Sequence, residues 1–273
     1  MFSFIPIASG SSGNCYIVEA HKTRVIVDIG ISFSSFVRMI REFDLLPDSF
    51  SRIFITHAHS DHTSGLIGLL KKTSIPVYTR QKTKDILLKR HSAESHLLER
   101  LHVIATPMCE EGDLTIRYFK VPHGGWLRSG QDDAGDPIGF LFEWQGYRLA
   151  FTTDCGHLTD GVKQMIKASD AYIMESNYDH ELQLKSPRPW GLKTRIMGEQ
   201  GHLSNEQTAQ YLTELTDSQR TKHIFLAHLS KQCNTPELAE ETVRQRLKAS
   251  HPSPELMIST KLLRRHVVGY MLS

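Results

Sequence analysis

The sequence predicts an α/β fold whose strands and helices recur in two similar halves. Short β-branched apolar runs, typical of buried strands, alternate with helical segments in both halves. No low-complexity linker separates the halves, and the 273 residues, 40% of them hydrophobic, suffice to bury a sizeable core. The pattern fits two sheets between outer helices, and it also fits a doubly wound sheet.

Local patterns indicate the elements of the first half. Cys15–Glu19 and Arg24–Asp28 flank a short polar segment and predict a hairpin. Arg52–Thr56 is an apolar run of the buried-strand type and ends directly before a polar cluster. Three helical segments alternate with these strands: Phe33–Phe43, Leu66–Lys72 and Thr83–Arg90.

The second half has clear turn and capping signals. Gln145-Gly146 is a two-residue connection of the hairpin type. Ser204 to Gln207 forms a capping box, and Thr235-Pro236 supplies an N-cap with proline at the first helical position. The predicted strands are Gly139–Trp144, Tyr147–Thr153, Ala171–Glu175, His223–Ala227, Met257–Thr260 and His266–Met271. The predicted helices are Gly161–Ala168, one from the capping box to about Leu215, and one from Pro236 to about Lys248.

Composition excludes several classes of protein. Lys and Arg total 32 against 30 Asp and Glu, so overall charge does not predict a nucleic-acid partner, although a local basic groove stays open. The four cysteines form no CxxC pair, which excludes a zinc ribbon, and reduced cysteines favour the cytoplasm. The N-terminus has no signal-peptide pattern and no run approaches about 18 to 20 apolar residues, so we expect a cytoplasmic protein without a membrane partner.

A metal-ligand cluster follows the strand Arg52–Thr56, in a chain that has 15 histidines. Three imidazoles and one carboxylate lie within six residues: His57, His59, Asp61 and His62. Such a cluster can hold two metal ions side by side, and each ion needs further protein ligands. Three residues of the right type end later apolar runs, where loops carry function: His123, Asp154 and His228.

With these seven residues, the sequence resembles the metallo-β-lactamase superfamily, whose hallmark is H-x-H-x-D-H with a later His, Asp and His. More narrowly it resembles the YycJ (WalJ) branch of exonucleases. The matching stretches are Ser9–Cys15, Thr56–His62, Thr152–Asp154, Glu175–Asn177, Gly201–Asn205 and Leu226–Lys231. Two stretches differ: His123-Gly124-Gly125 stands where the branch usually has His-Asp-Ala, and Gln232-Cys233-Asn234 where an Asn pair is usual.

The resemblance covers nearly the whole chain and implies one domain over residues 1–273 with an αββα sandwich, two mixed sheets between outer helices. It implies two divalent metal ions with Asp154 as the bridging ligand. The implied ligand sets are His57, His59, His123 and Asp154 for one ion, and Asp61, His62, Asp154 and His228 for the other. Imidazole with carboxylate suits both Zn²⁺ and Mn²⁺.

A site of this kind predicts hydrolysis by a metal-bound hydroxide at a phosphoryl or carbonyl centre, without an organic cofactor. Phosphodiester cleavage also needs a proton for the leaving oxygen, and His202 is the candidate acid. His202 is similar to the histidine of the Gly-His-Ser-Thr motif in tRNase Z enzymes, and Glu175 takes the place of its carboxylate partner. The predicted catalytic residues are therefore Asp61, His202 and Glu175.

Other residues are predicted to support the ligands or to contact substrate. Asp28 ends a strand and is expected to orient a ligand histidine. The Gly-rich stretch Ser9–Asn14 is either a phosphate-binding nest or a tight turn. Basic residues surround Trp190, as in sites for single-stranded nucleic acid: Lys185, Arg188, Lys193 and Arg195. The predicted substrate-binding residues are Ser12, Asn14, Asn177, His180, Ser230 and Lys231.

Four functions are compared. A nuclease (exonuclease) acting on DNA or RNA ends is favoured by the motif set and by His202. A small-molecule (cyclic) phosphodiesterase is the alternative, because the segment between Asp154 and His228 is too short for the clamp domain of RNase J-like proteins and no tRNase Z-like arm is visible. A lactonase- or thioesterase-type carbonyl hydrolase has less need of an added acid. A non-catalytic module is disfavoured because all seven ligand types are present.

Overall fold

The computed structural model describes residues 1–124, 134–250 and 255–271. Within these ranges the strands form two mixed sheets of seven strands each. Of the two architectures that fit the sequence pattern, the one with two sheets is therefore correct and the single doubly wound sheet is wrong. The residues group into two compact units, Met1–Ile116 with Gly124–Ile138 and Leu262–Ser273, and Arg117–His123 with Gly139–Lys261.

The first sheet has the strand order β14-β1-β2-β3-β4-β5-β6. Its strands are β1 (Phe2–Ala8), β2 (Cys15–Ala20), β3 (Thr23–Val27), β4 (Arg52–Phe54), β5 (Val77–Thr79), β6 (Leu101–Val103) and β14 (His266–Gly269). Pairing is antiparallel from β14 to β3 and parallel from β3 to β6. The hairpin predicted from Cys15 to Asp28 is confirmed as β2 and β3.

The second sheet has the strand order β13-β12-β11-β10-β9-β8-β7. Its strands are β7 (Met108–Glu111), β8 (Leu114–Lys120), β9 (Ile138–Trp144), β10 (Tyr147–Thr152), β11 (Ala171–Glu175), β12 (His223–Ala227) and β13 (Met257–Ser259). β9 and β10 form the antiparallel hairpin that Gln145-Gly146 predicts, whereas β10 to β13 pair in parallel. Strands β11 and β12 are almost wholly buried, which explains their unbroken apolar sequence.

Helices cover the sheets within each unit. They are α1 (Phe33–Ile40), α2 (Ser60–Thr63), α3 (Leu66–Lys72), α4 (Gln81–Arg90), α5 (Ser95–Leu98), α6 (Asp160–Ile166), α7 (His180–Lys185), α8 (Trp190–Ile196), α9 (Asn205–Leu215) and α10 (Pro236–Leu247). In one unit Phe36 and Leu69 pack with the sheet residue Ile26, and in the other Leu212 and Val243 pack with Tyr172. Among the described residues, no helix combines the length and apolarity needed to cross a lipid bilayer.

Element boundaries differ from the predictions in places that local chemistry explains. The helix predicted over Phe33–Phe43 ends as an α-helix at Ile40 and tightens to a 3₁₀ turn, which Asp44 closes in a left-handed conformation at φ 57°. The capping box at Ser204 is confirmed, with both reciprocal hydrogen bonds to Gln207. Strand β1 was not predicted, because its apolar run is interrupted by Pro6, which pairs with Tyr16 of β2.

Parallel pairing places the functional loops of each sheet at one edge. Val27 of β3 lies opposite Phe54 of β4, so the segments after these two strands leave the sheet side by side. In the second sheet Thr152 lies opposite Met174, and Glu175 lies opposite Ala227. Ligands of open α/β sheets bind at such carboxyl ends. Each unit therefore has its own cluster of polar strand-end residues.

We expect Leu212→Ala to lower the free energy of unfolding by about 2 to 5 kcal/mol, because this leucine of α9 is fully buried and its removal leaves a cavity. Leu238→Ala in α10 is the matched control: its side chain is 40% exposed, and we expect a change of about 0.5 kcal/mol or less. Chemical denaturation of both variants measures the difference. Equal losses would contradict this assignment of the core.

Candidate metal centre

The segment His57–His62, which we call the histidine loop, follows β4 and includes the short helix α2. His57 is buried and its Nε2 lies 2.9 Å from Nδ1 of His59. Nδ1 of His57 lies 3.0 Å from the hydroxyl of Thr56. The first two predicted ligands therefore present their ring nitrogens to one another.

Asp28 holds the other histidine of the loop. Its carboxylate, fully buried after β3, lies 2.7 Å from Nδ1 of His62 and accepts from the Thr56 backbone N–H (2.8 Å) and hydroxyl (2.9 Å). Burial raises the pKa of Asp28, and the neighbouring His62 opposes that shift without cancelling it. The contact with His62 is the one predicted for Asp28. As an acceptor, the carboxylate places the proton of His62 on Nδ1 and leaves a lone pair on Nε2.

The turn Ser9–Asn14 is hydrogen-bonded to the histidine loop. The Asn14 backbone N–H donates to the Asp61 carbonyl at 2.7 Å, and its side-chain nitrogen lies 3.0 Å from Nε2 of His62. The Gly13 N–H donates within the turn to Gly10. These N–H groups are therefore engaged by the protein, which favours the tight-turn interpretation over the phosphate nest. Of the two predicted substrate contacts here, Asn14 is fully buried and Ser12 is exposed.

A second cluster lies at the carboxyl ends of β10, β11 and β12. Four groups have donor atoms within 4.8 Å of one another: Asp154, Glu175, His202 and His228. We call them the Glu175 cluster. All four residues belong to one compact unit, and three of them are buried while His202 is partly exposed.

Glu175 is the centre of this cluster. One carboxylate oxygen lies 2.7 Å from Nδ1 of His202 and 2.9 Å from Nδ1 of His228. The other oxygen accepts from the backbone N–H groups of Cys155 (2.9 Å) and Leu203 (3.2 Å). Burial by itself would raise the pKa of Glu175, but His202 and His228 outweigh it and lower the pKa to about 2. The carboxylate is thus ionised and accepts from both imidazoles.

His123 lies beside the Glu175 cluster. Its Nδ1 is 2.9 Å from the carbonyl oxygen of Gly201, which can only accept, so this nitrogen carries the proton. Its Nε2 lies 3.8 Å from Oδ1 of Asp154. Although the sequence after His123 departs from the related branch, the side chain has the arrangement expected of a ligand.

The donor set fits a metal ion. In each of three histidines, Nδ1–H donates to a protein acceptor and Nε2 faces a carboxylate: His62, His123 and His228. The Nε2-to-carboxylate distances are 3.7 Å to Asp61 for His62, and 3.8 Å and 3.4 Å to Asp154 for His123 and His228. Two ligand atoms each about 2.0 to 2.2 Å from one tetrahedral ion lie roughly 3.3 to 3.6 Å apart. These separations suit shared coordination better than hydrogen bonding.

Three residues of these clusters have a left-handed backbone. Asp28, Asp154 and His228 have φ of 62°, 54° and 57°. A residue other than glycine pays roughly 1 to 3 kcal/mol for a sparsely populated backbone conformation, and such residues concentrate at functional sites. All three come directly after a strand or one residue beyond it, so the backbone turns sharply and directs their side chains along the sheet edge.

The remaining predicted contact residues occupy different positions. Asn177 is buried, and its amide donates to the backbone carbonyl of His228 at 2.8 Å. Ser230 is also buried, whereas His180 and Lys231 are exposed. Asn177 thus contacts a predicted ligand, and contact between any of these four side chains and a substrate stays a prediction.

Sequence reasoning missed the polar network behind Glu175. Asn234 donates to the Ser176 carbonyl and to the side chain of Asn205, both at 2.8 Å. The Ser176 hydroxyl also donates to the Asn205 side chain at 2.6 Å. This network joins β11 to the starts of α9 and α10. Part of its signal was present in the motif stretches Glu175–Asn177 and Gly201–Asn205, which include Ser176 and Asn205.

Comparison with known proteins defines the class. A family model described as the Beta-lactamase superfamily domain matches residues 23–228. The chain is 33% identical over 243 residues to exodeoxyribonuclease YycJ of Bacillus anthracis, covering 89% of this chain and 88% of that protein. It is 33% identical over 252 residues to exodeoxyribonuclease WalJ of Streptococcus pneumoniae strain D39, covering 90% and 88%. The chain therefore belongs to the β-lactamase superfamily, in the family that includes YycJ and WalJ.

The fold is likewise shared with solved structures. Zn²⁺-bound PqqB from Methylobacterium extorquens has a TM-score of 0.71 at 13% sequence identity, covering 97% of this chain and 99% of that one. At this identity the likeness concerns the fold alone. The predicted metallo-β-lactamase fold is confirmed, and so is the predicted resemblance to the YycJ (WalJ) branch.

We expect Gly30→Ala to destabilise the protein by at least about 1 to 3 kcal/mol and to lower metal content. An added Cβ would lie 1.6 Å from the Asp61 carbonyl oxygen and 2.6 Å from the Asn14 nitrogen, so the histidine loop must move. Gly161→Ala in α6 is the control, because its Cβ meets nothing within 4 Å. Unfolding midpoints and metal analysis compare the two variants, and identical behaviour would contradict the close approach.

Proposed function

We propose that the chain is a divalent-metal-dependent nuclease that hydrolyses phosphodiesters at DNA or RNA ends. The names of the YycJ and WalJ relatives support this activity and favour DNA. The observation that carries the mechanism is the position of Glu175, whose one oxygen contacts both His202 and His228. Phosphodiester cleavage needs an acid to protonate the leaving oxygen, and the imidazole of His202 is oriented for that role. Hydrolysis of an ester with a good leaving group has less need of such an acid.

We propose that the metal is held by seven residues: His57, His59, Asp61, His62, His123, Asp154 and His228. Family membership and the donor chemistry of each cluster support this set. A bound divalent ion lowers the pKa of water and neutralises charge on phosphoryl oxygens. We propose two such ions with Asp154 as the shared ligand. The ions are Zn²⁺ or Mn²⁺ in this proposal, because imidazole with carboxylate suits both metals.

His202 supplies the proton for the leaving oxygen in this proposal. Glu175 holds Nδ1–H of the ring, so only Nε2 exchanges a proton with the substrate. The side chain is 19% exposed, in contrast to the buried His228, which suits a group that meets an entering substrate.

We also propose that the protein works as one domain in the cytoplasm. The relatives align over nine-tenths of the chain, in support of a single functional domain. Cys15, Cys109, Cys155 and Cys233 are free thiols, and three of them are buried. Unpaired cysteines are usual in a reducing compartment.

Nuclease assays test the proposal directly. End-labelled single- and double-stranded DNA and RNA are incubated with Mn²⁺ or Zn²⁺, beside a cyclic phosphodiester and a β-lactam. Stepwise release of nucleotides that Asp61→Ala abolishes supports the proposal. Turnover of the cyclic phosphodiester alone would show a small-molecule enzyme instead, and efficient β-lactam hydrolysis would show that a phosphodiesterase is the wrong class.

We expect His202→Ala to lower turnover of an oligonucleotide by about 10² to 10⁴ without changing metal content, because a general acid contributes a factor of this size. The loss should shrink on a nitrophenyl phosphodiester, whose leaving group needs no proton. The exposed His96 of α5, changed to Ala, is the matched control. An equal loss on good and poor leaving groups would assign His202 a structural role.

We expect metal analysis of the purified protein under saturating metal to approach two ions per chain. Asp154→Ala should weaken binding of both ions, since this carboxylate is the proposed bridge, whereas His123→Ala should weaken one. Asp160→Ala in α6 serves as control, because its side chain is 90% exposed. Binding of a single ion by the unmodified protein would contradict the proposed site.

A further inference from the structure

Trp190 is the first residue of α8 and is 65% exposed. Among the large apolar side chains of the described residues, Tyr270 and Leu46 show comparable exposure, at 66% and 61%. Leu184 and Leu192 nearby in sequence are also partly exposed, at 39% and 40%. An exposed indole face is available for stacking, and nucleobases stack on such faces irrespective of their sequence.

Two of the four basic residues around Trp190 are already engaged. Lys185 forms an exposed ion pair with Glu181 at 2.7 Å. Lys193 is buried, and its ammonium donates to the Leu184 carbonyl at 2.5 Å. Lys193 is therefore not available to a phosphate, and a phosphate at Lys185 would have to compete with Glu181.

Arg188 is held in place but keeps its charge. Its Nε and Nη1 each donate at 3.2 Å, to the side-chain oxygens of Gln232 and Gln183, and Nη2 donates to the Ser230 hydroxyl at 3.4 Å. Gln183 and Ser230 are buried, so these two acceptors are fixed. All three acceptors are neutral, and within the described ranges Arg188 forms no ion pair with a carboxylate. A positioned guanidinium of this kind is suited to a phosphate.

The contacts of Arg188 lead to the Glu175 cluster. Ser230, which accepts from Arg188, donates its backbone N–H to the Asn177 carbonyl at 2.8 Å. Asn177 in turn donates to the backbone carbonyl of His228 at 2.8 Å. Arg188 is thus joined to a proposed metal ligand through two buried residues of the same compact unit, and Trp190 follows it by two positions.

We propose that Arg188 and Trp190 form a nucleotide subsite for a single strand beside the scissile phosphodiester. The guanidinium binds a backbone phosphate and the indole stacks on the base of a neighbouring nucleotide. This inference rests on the proposed nuclease function and specifies how the strand that is cut is held.

Activity ratios test the stacking contact. Trp190→Ala is compared with the unmodified enzyme on a single-stranded oligonucleotide and on a nitrophenyl phosphodiester, which has no base. We expect kcat/KM for the oligonucleotide to fall about 5- to 150-fold more than kcat/KM for the small diester, the range that loss of one base–aromatic stack gives. Tyr270→Ala is the control, as an aromatic side chain of equal exposure. Equal ratios for both variants would overturn the subsite.

Substrates with one abasic position locate the base. In the unmodified enzyme, removal of one particular base near the end should slow cleavage, and Trp190→Ala should make the enzyme indifferent to that removal. Intrinsic fluorescence gives a second readout: in an Asp61→Ala background, single-stranded DNA should quench emission, and adding Trp190→Phe should remove most of that quenching. Unchanged quenching, or abasic sensitivity that persists in Trp190→Ala, would contradict stacking at Trp190.

The phosphate contact is tested by salt dependence. Loss of one phosphate contact should reduce the slope of log affinity against log salt by about 0.7 for a single strand. We expect this change in Arg188→Gln. Arg264→Gln is the control and should leave the slope unchanged, because Arg264 is an exposed arginine outside the proposed subsite. An unmodified enzyme that cuts no nucleic acid would refute the nuclease proposal itself, whereas an active enzyme with none of these effects would refute the subsite alone.

Discussion

The buried carboxylate of Glu175 is the group on which the Glu175 cluster depends. It lies at the end of β11, fully enclosed, and its two oxygens accept from two imidazoles and two backbone N–H groups. A buried charge is tolerated only when it is paired and hydrogen-bonded, and these four contacts meet that requirement. Because one oxygen serves both His202 and His228, the orientation of the proposed acid is coupled to that of a proposed metal ligand.

Asp28 has the same role in the histidine loop. It directly follows β3 and accepts from Nδ1–H of His62, while Thr56, two residues after β4, donates to it from its backbone N–H and its hydroxyl. In each unit, a buried carboxylate at one strand end therefore orients a histidine that follows another strand. Parallel pairing makes this possible, since it brings consecutive carboxyl ends to the same edge of the sheet.

Gly30 and Asn14 fix the position of the histidine loop. Gly30 allows the backbone to approach the Asp61 carbonyl more closely than any side chain would permit, and Asn14 donates to that same carbonyl. Together they set the path of the histidine loop from residues far away in the sequence. The left-handed conformations of Asp154 and His228 show that the second unit also accepts backbone strain at its strand ends.

Much of the fold could be predicted because its signals are local. The hairpins, the capping box at Ser204 and the helix start at Pro236 each depend on a few neighbouring residues. The weaker elements could not be predicted: β5 and β6 have three residues each, and their stability comes from pairing within the sheet. The composition of the basic-aromatic stretch from Lys185 to Arg195 does not reveal that Lys193 is buried and bound to a carbonyl.

The sequence by itself determined the donor groups and their positions at strand ends, since polar residues after apolar runs identify both. Only the tertiary structure decided how those groups are used. It indicates that Nδ1 carries the proton in His62 and His228, because the acceptors are remote in sequence: Asp28 is 34 residues from His62, and Glu175 is 53 residues from His228. It also shows that Arg188 contacts neutral acceptors, whereas Lys185 is paired with the carboxylate of Glu181. Strand register and burial set these partners, and no local pattern encodes either.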